Sequence, residues 1–205
     1  GKSTFLRKLG LEALKGTEFT RIQKQTKSQK LNSIKRSLIP VLIELKAFRG
    51  ETIDLAAVIA KEFEICGFPD AKEFTKLSLE QWKLLLLLDG LDEVPTRNMN
   101  RVIEQIEAFA TQYDKNTIVA SCRTAAYRSS FSQFSDVTIA DFDDEQIEQF
   151  IQRWFNSELD QEADTANQYW QELKQSEFIA AKELAQTPLL LTFLCFIYER
   201  EQELP

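Results

Sequence analysis

Histidine is missing from all 205 residues. Its absence excludes Ser-His-Asp and Cys-His nucleophile pairs, histidine-ligated zinc and a histidine pH switch. Any chemistry must run on carboxylates, lysines, arginines and hydroxyls. Cysteine is scarce. Cys66, Cys122 and Cys195 are odd in number, far apart and set in apolar neighbourhoods, which reads as reduced core thiols in a reducing, cytoplasmic setting. No apolar run reaches the roughly 18–20 residues that cross a bilayer. The longest, Pro188 to Tyr198, is broken by Thr192, so neither a membrane span nor a signal peptide is expected. Positive charge is in the minority, with Lys+Arg 25 against Asp+Glu 32 and a net charge of −7, which argues against nucleic-acid binding through a broad basic field.

The composition is otherwise that of a folded chain, 43% hydrophobic and 28% charged, long enough for one full-sized domain or two small ones. It changes near Ala140. Up to that residue there are 21 basic and 17 acidic residues, beyond it 4 and 15. All six glycines lie at or before Gly90, and residues 141–205 hold only Pro188 and Pro205 as breakers. Alternating strands, turns and helices therefore give way to helices alone, with a boundary expected near 140. A start at Gly1 and an end at Pro205 read as a segment of something longer.

In the first part, Leu38 to Leu45, Leu84 to Leu88, Thr117 to Ser121 and Val137 to Ala140 read as strands. Phe5 to Leu14, Ile53 to Ile65 and Met99 to Phe109 carry helical periodicity between them. Strands apolar on both faces with intervening helices predict an α/β fold, a parallel sheet sandwiched by helices. In the second part, Asp143 with Gln146 forms a capping pair ahead of Ile147, Phe150, Ile151, Trp154 and Phe155 on one helix face. Thr187-Pro188 then opens a helix that is apolar nearly all round and is expected to be buried.

Three segments carry chemistry. Gly1-Lys2-Ser3-Thr4 runs straight into a helical pattern, as in the second half of the phosphate-binding loop GxxxxGK[ST]. Lys2 is placed to reach β and γ oxygens and Ser3 to ligate Mg²⁺, with an ordinary helix start as the simpler alternative. The run Leu84 to Leu88 closes on Asp89, at the strand end where α/β sheets bind ligands, and Asp92 and Glu93 follow three residues on. Asp89 suits Mg²⁺, and an acid at 92 or 93 suits a water beside the γ-phosphate; a solvated acidic turn ending at Pro95 is the alternative. Ile118 to Arg123 is a further strand that delivers a cation at its end, where it meets either the γ-phosphate or a surface salt-bridge partner.

Taken in order, Gly-Lys-Ser-Thr (1–4), Leu-Leu-Leu-Leu-Asp-Gly-Leu-Asp-Glu-Val (85–94), Ser-Cys-Arg-Thr (121–124) and Thr-Pro-Leu-Leu-Leu-Thr-Phe-Leu-Cys (187–195) resemble the motifs of a NACHT domain, of the STAND class of signalling NTPases. Asp-Gly-Leu-Asp-Glu after an apolar strand is the most specific piece. The resemblance implies a three-layer P-loop NTPase fold over residues 1–140, lacking its first strand and half of the phosphate loop, and a small, incomplete helical domain over 141–205. It implies ATP or ADP with Mg²⁺ as ligands. Gly1, Lys2, Ser3, Thr4, Asp89, Arg123 and Pro188 would bind the nucleotide, with Ser3 and Asp89 on the metal. Asp92, Glu93 and Arg123 would form the catalytic set, Arg123 sensing ATP against ADP and Pro188 packing near the adenine. The implied function is a slow, regulatory ATPase switch in defence-type signalling. Its nucleotide state would control self-association, with effector and sensor domains outside this chain. A protein-interaction scaffold without turnover is the alternative. A guanine-reading Asn-Lys-x-Asp sequence is absent, against a GTPase. The basic run Arg21, Lys24, Lys27, Lys30, Lys35 and Arg36 reads as a solvated loop and helix face.

Overall fold

A computed structural model describes residues 1–15, 38–48, 54–127 and 131–201. The basic run at 21–36 lies outside the described residues. The chain divides into two compact units, Lys2–Asp136 and Val137–Pro205, the terminal Gly1 being grouped with the second.

Among the described residues the first unit is built on three parallel strands, β1 (Ile39–Glu44), β2 (Leu84–Asp89) and β3 (Thr117–Ala120), in the order β1-β2-β3. Leucine is a modest strand former, and β2 holds its leucines because both of its faces are covered. The period of two sends Leu84, Leu86 and Leu88 into a core with α2 (Leu55–Ile65), α3 (Ala71–Glu80) and α4 (Thr96–Gln112). Leu85 and Leu87 enter the opposite core with Leu6 and Ala13 of α1 (Lys2–Leu14). All five are at most 2% exposed, and burying each such side chain is worth about 1.5–3 kcal/mol. Gly10 lets α1 lie close on the sheet: a Cβ there would meet Leu87 Cδ1 at 3.1 Å and Pro40 Cβ at 3.4 Å. This is the expected three-layer α/β arrangement.

At the N-terminal edge of the sheet the buried Asn116 side chain accepts from Leu84 N–H at 3.2 Å and donates to Leu79 C=O at 2.8 Å. It ties the starts of β2 and β3 to the end of α3. The segment Val137 to Ala140 is not a strand, contrary to expectation. Val137 and Ile139 are exposed and no described strand pairs with them, and β-propensity without a hydrogen-bonding neighbour does not make a strand. Helix α3 is an addition to the helices expected from sequence, and it buries Thr75, Ser78 and Leu79 on one side. Cys66 is exposed at the C-cap of α2, which corrects its reading as a core thiol; Cys122 is half-buried and Cys195 buried, and all three are free.

The described elements of the second unit are all helices: α5 (Asp144–Trp154), α6 (Glu158–Ala163), α7 (Thr165–Leu173), α8 (Ile179–Ala185) and α9 (Pro188–Glu201). Asp143 and Gln146 form the expected capping box, with bonds of 2.8 and 3.1 Å. Tyr169 and Trp170 of α7 belong to the core, where Tyr169 meets Tyr198 at 4.4 Å and Phe155 at 5.7 Å between ring centroids. Helix α9 is not buried all round. Leu191, Leu194, Cys195 and Tyr198 face this unit's core, whereas Leu189, Phe193 and Phe196 are exposed. A helix packed against neighbours on one side buries one stripe, whatever the polarity of the other.

Among the described residues, one buried side-chain polar group is unsatisfied. The Tyr169 hydroxyl is buried with no oxygen or nitrogen partner and only the weakly bonding Cys195 thiol beside it, and burial pushes both groups' pKa values up. Tyr169→Phe is expected to raise stability by about 1 kcal/mol, since an orphaned buried hydroxyl is a net cost. Chemical denaturation checks this, and a loss of stability would mean that the hydroxyl is satisfied.

Candidate functional site

The register of the sheet brings three strand ends to one level. Glu44 pairs with Asp89 and Leu88 with Ala120, so Glu44, Asp89 and Ser121 emerge side by side at the carboxyl edge of the sheet. Helix α1 starts at the same edge, because Arg7 in its second turn reaches Glu44 at 3.5 Å and its C-terminal Ala13 packs with Leu38, which precedes β1. Its first turn holds Lys2, Ser3 and Thr4 and no acid, an arrangement open to an anion by charge and by its unpaired backbone N–H groups. Ser3 and Thr4 are exposed and Lys2 half-buried.

Beyond β2 the chain turns sharply. Gly90 adopts φ +79°, and a Cβ there would meet Glu93 Cδ at 3.1 Å, so both conformation and space favour glycine. The tight turn Leu91–Glu93 follows, with Leu91 and Val94 buried beneath it. This folds Asp92 inward and leaves Glu93 exposed. The turn is stitched to β3 at four points. Ser121 N–H donates to Leu88 C=O at 2.8 Å and Leu91 N–H to Ser121 C=O at 2.8 Å. The Ser121 hydroxyl donates to Asp89 Oδ1 at 2.7 Å while accepting the Gly90 N–H at 2.9 Å.

Arg123 forms an ion pair, as its surface alternative anticipated, and the partner is Asp92. The Arg123 N–H donates to Asp92 Oδ1 at 2.9 Å, and its Nε lies 3.2 Å from Oδ2. The acidic turn is thus only half solvated: the Asp92 side chain is 8% exposed. Lys46 holds Glu44 at 2.7 Å, which with the Arg7 charge keeps the Glu44 carboxyl below its usual range and raises Lys46 in turn. Burial and then the Asp92 charge push the Cys122 thiol up, against the opposing charge of Lys2.

Lys2, Asp89, Asp92, Glu93 and Arg123 therefore gather at one edge of the sheet. Gly1 is the exposed residue ahead of α1, and Pro188 is the exposed first residue of α9 in the second unit. Ser121, Glu44 and Arg7 were not singled out from sequence. The usable signal for Ser121 was a hydroxyl one residue past a strand end, beside another strand that ends on a carboxylate. The donor set fits a hard cation shared with phosphate oxygens. Asp89 keeps Oδ2 free of hydrogen bonds among the described residues, and no cluster of three acids, cysteines or histidines occurs among them. Magnesium held by one or two protein oxygens plus phosphates needs no such cluster.

The family model for the NACHT domain matches residues 1–158. The chain belongs to the NACHT family. The match spans the whole first unit and α5, and it makes the edge just described part of a P-loop NTPase module that binds nucleotide. Comparison with curated proteins finds no match. No helix of this NACHT chain is long and apolar enough to cross a membrane among the described residues.

Removing the Ser121 hydroxyl leaves the buried Gly90 N–H without a partner and Asp89 without its donor. Ser121→Ala is expected to cost about 2 kcal/mol of stability, with Ser121→Thr recovering most of it. Denaturant titration measures both, and a loss of a few tenths for the alanine variant would show that water replaces the hydroxyl.

Proposed function

We propose that this NACHT domain is an ATP/ADP switch module that hydrolyses ATP slowly and whose nucleotide state controls self-association of the intact protein. The observation that carries the reading is the convergence of Lys2, Asp89, Asp92, Glu93 and Arg123 at the carboxyl edge of a parallel sheet, where such folds bind phosphates. In this reading residues 1–140 form the nucleotide domain and 141–205 the start of a helical domain, whose Pro188 packs near the adenine. Effector and sensor domains would lie outside this chain, and the setting would be cytoplasmic, defence-type signalling.

Each residue has a physical task. The first-turn N–H groups of α1, with Gly1 and Thr4, cradle phosphate oxygens, and the Lys2 ammonium neutralises the β and γ oxygens. Ser3 and Asp89 would hold Mg²⁺, and the Ser121 hydroxyl anchors the Asp89 carboxylate through Oδ1, which leaves Oδ2 for the metal. When bound, the metal supplies neutralisation of charge on the β- and γ-phosphates. An acid of the Asp92–Glu93 pair orients the attacking water, and the Arg123 guanidinium meets the γ-phosphate that distinguishes ATP from ADP. Exchange of ADP for ATP would favour an open form that self-associates.

Calorimetry of the intact protein with ATP and ADP in Mg²⁺ tests this. Lys2→Ala is expected to weaken binding tenfold or more, about 1.4 kcal/mol per decade, with phosphate release falling in step. Equal affinity in both proteins would remove Lys2 from the site. A folded protein that binds neither nucleotide would support the scaffold instead.

A further inference from the structure

We propose that Asp92 is a positioning residue that holds Arg123 for the nucleotide, and that it is not the acid that orients the attacking water. The inference rests on the nucleotide-binding reading above and divides the work of the two adjacent acids. Both Asp92 oxygens are engaged, Oδ1 by the Arg123 N–H at 2.9 Å and Oδ2 by the guanidinium Nε at 3.2 Å. With its side chain 8% exposed, Asp92 has little room for a water molecule. An acid or base must lie within hydrogen-bond reach of the proton it handles.

The arginine is held in a particular way. Pairing at Nε leaves both terminal amino groups without a partner among the described residues, and the Arg123 side chain stays 72% exposed. A guanidinium paired only at Nε keeps its terminal donors as a planar fork, the geometry that suits a phosphate. The backbone bond adds a second anchor, so Asp92 sets both the course of the chain past β3 and the direction of the side chain. The helix-like turns Leu91–Glu93 and Thr124–Ala126 are thereby joined, through Asp92 in the first and Arg123 at the N-cap of the second.

Glu93 has the opposite surroundings. Its side chain folds back over Gly90, next to Asp89, is exposed, and makes no hydrogen bond or ion pair among the described residues. Its charge is felt by Lys46. A carboxylate with free lone pairs, four residues past the acid assigned to the metal, is the one able to take a water.

The intact protein and its Asp92→Asn, Arg123→Ala, Glu93→Gln and Asp92→Asn/Arg123→Ala variants would be compared for ATP affinity, ADP affinity and turnover. Arg123→Ala is expected to lower the preference for ATP over ADP about tenfold, and Asp92→Asn to reproduce most of that shift. The double variant should match Arg123→Ala alone, because residues acting through one another are not additive. Glu93→Gln should lower kcat while the ATP-to-ADP affinity ratio holds. The clamp is overturned if Asp92→Asn leaves the ratio unchanged and lowers kcat as Glu93→Gln does, or if the double variant loses as much as the two single changes together. A wild-type protein without nucleotide affinity refutes the function itself; one that binds, with Asp92→Asn unaltered, refutes only the clamp.

Discussion

Burial of β2 on both faces is the constraint from which the rest of the first unit follows. Five consecutive leucines cannot face water on either side, so the strand must lie at the centre of a sheet with helices above and below. A central parallel strand has its neighbours in register, and that register decides which residues end level with Asp89. The chemistry at the carboxyl edge is a consequence of hydrophobic burial one residue earlier. Moving β2 by a single position would turn Asp89 away from Ser121 and send each leucine to the opposite core.

The carboxyl edge is then fixed by hydrogen bonds that involve few side chains. Ser121 acts as donor to Asp89 and acceptor for Gly90, and Asp92 binds the chain at Arg123. These bonds join the turn after β2 to the segment after β3, two places where a fold of this kind has no regular structure to hold it. Gly90 makes the geometry possible by taking a left-handed conformation over which the Glu93 side chain can lie. The outcome is a site whose acids differ in freedom despite being neighbours in sequence, one paired and sheltered and the other open to solvent.

What could be read from the sequence depended on how local its cause was. The leucine run, the Asp89-to-Asp92 spacing and the Asp143–Gln146 cap are local patterns, and the strands and helices they imply are observed. Val137 to Ala140 has the alternation of a strand but lacks a described partner to pair with, which no local pattern reveals. The exposed stripe of Leu189, Phe193 and Phe196 misled for the same reason: composition says a helix is apolar, and only neighbours say which side is covered. Asn116 and Ser121 bridge positions about thirty residues apart or adjacent strands, so their roles appear only with the fold. Helices α6 and α8 are short and give little pattern to read, whereas Tyr169 and Trp170 of α7 take the core places that aromatics at helical spacing usually have.

The central claim, that the carboxyl edge of this sheet receives a nucleotide's phosphates, is tested most directly by amide hydrogen exchange of the intact protein with and without MgATP. The account predicts added protection in the first turn of α1, in 89–93 and in 121–124, dependent on Mg²⁺. Nucleotide binding accompanied by protection confined to other segments would contradict it.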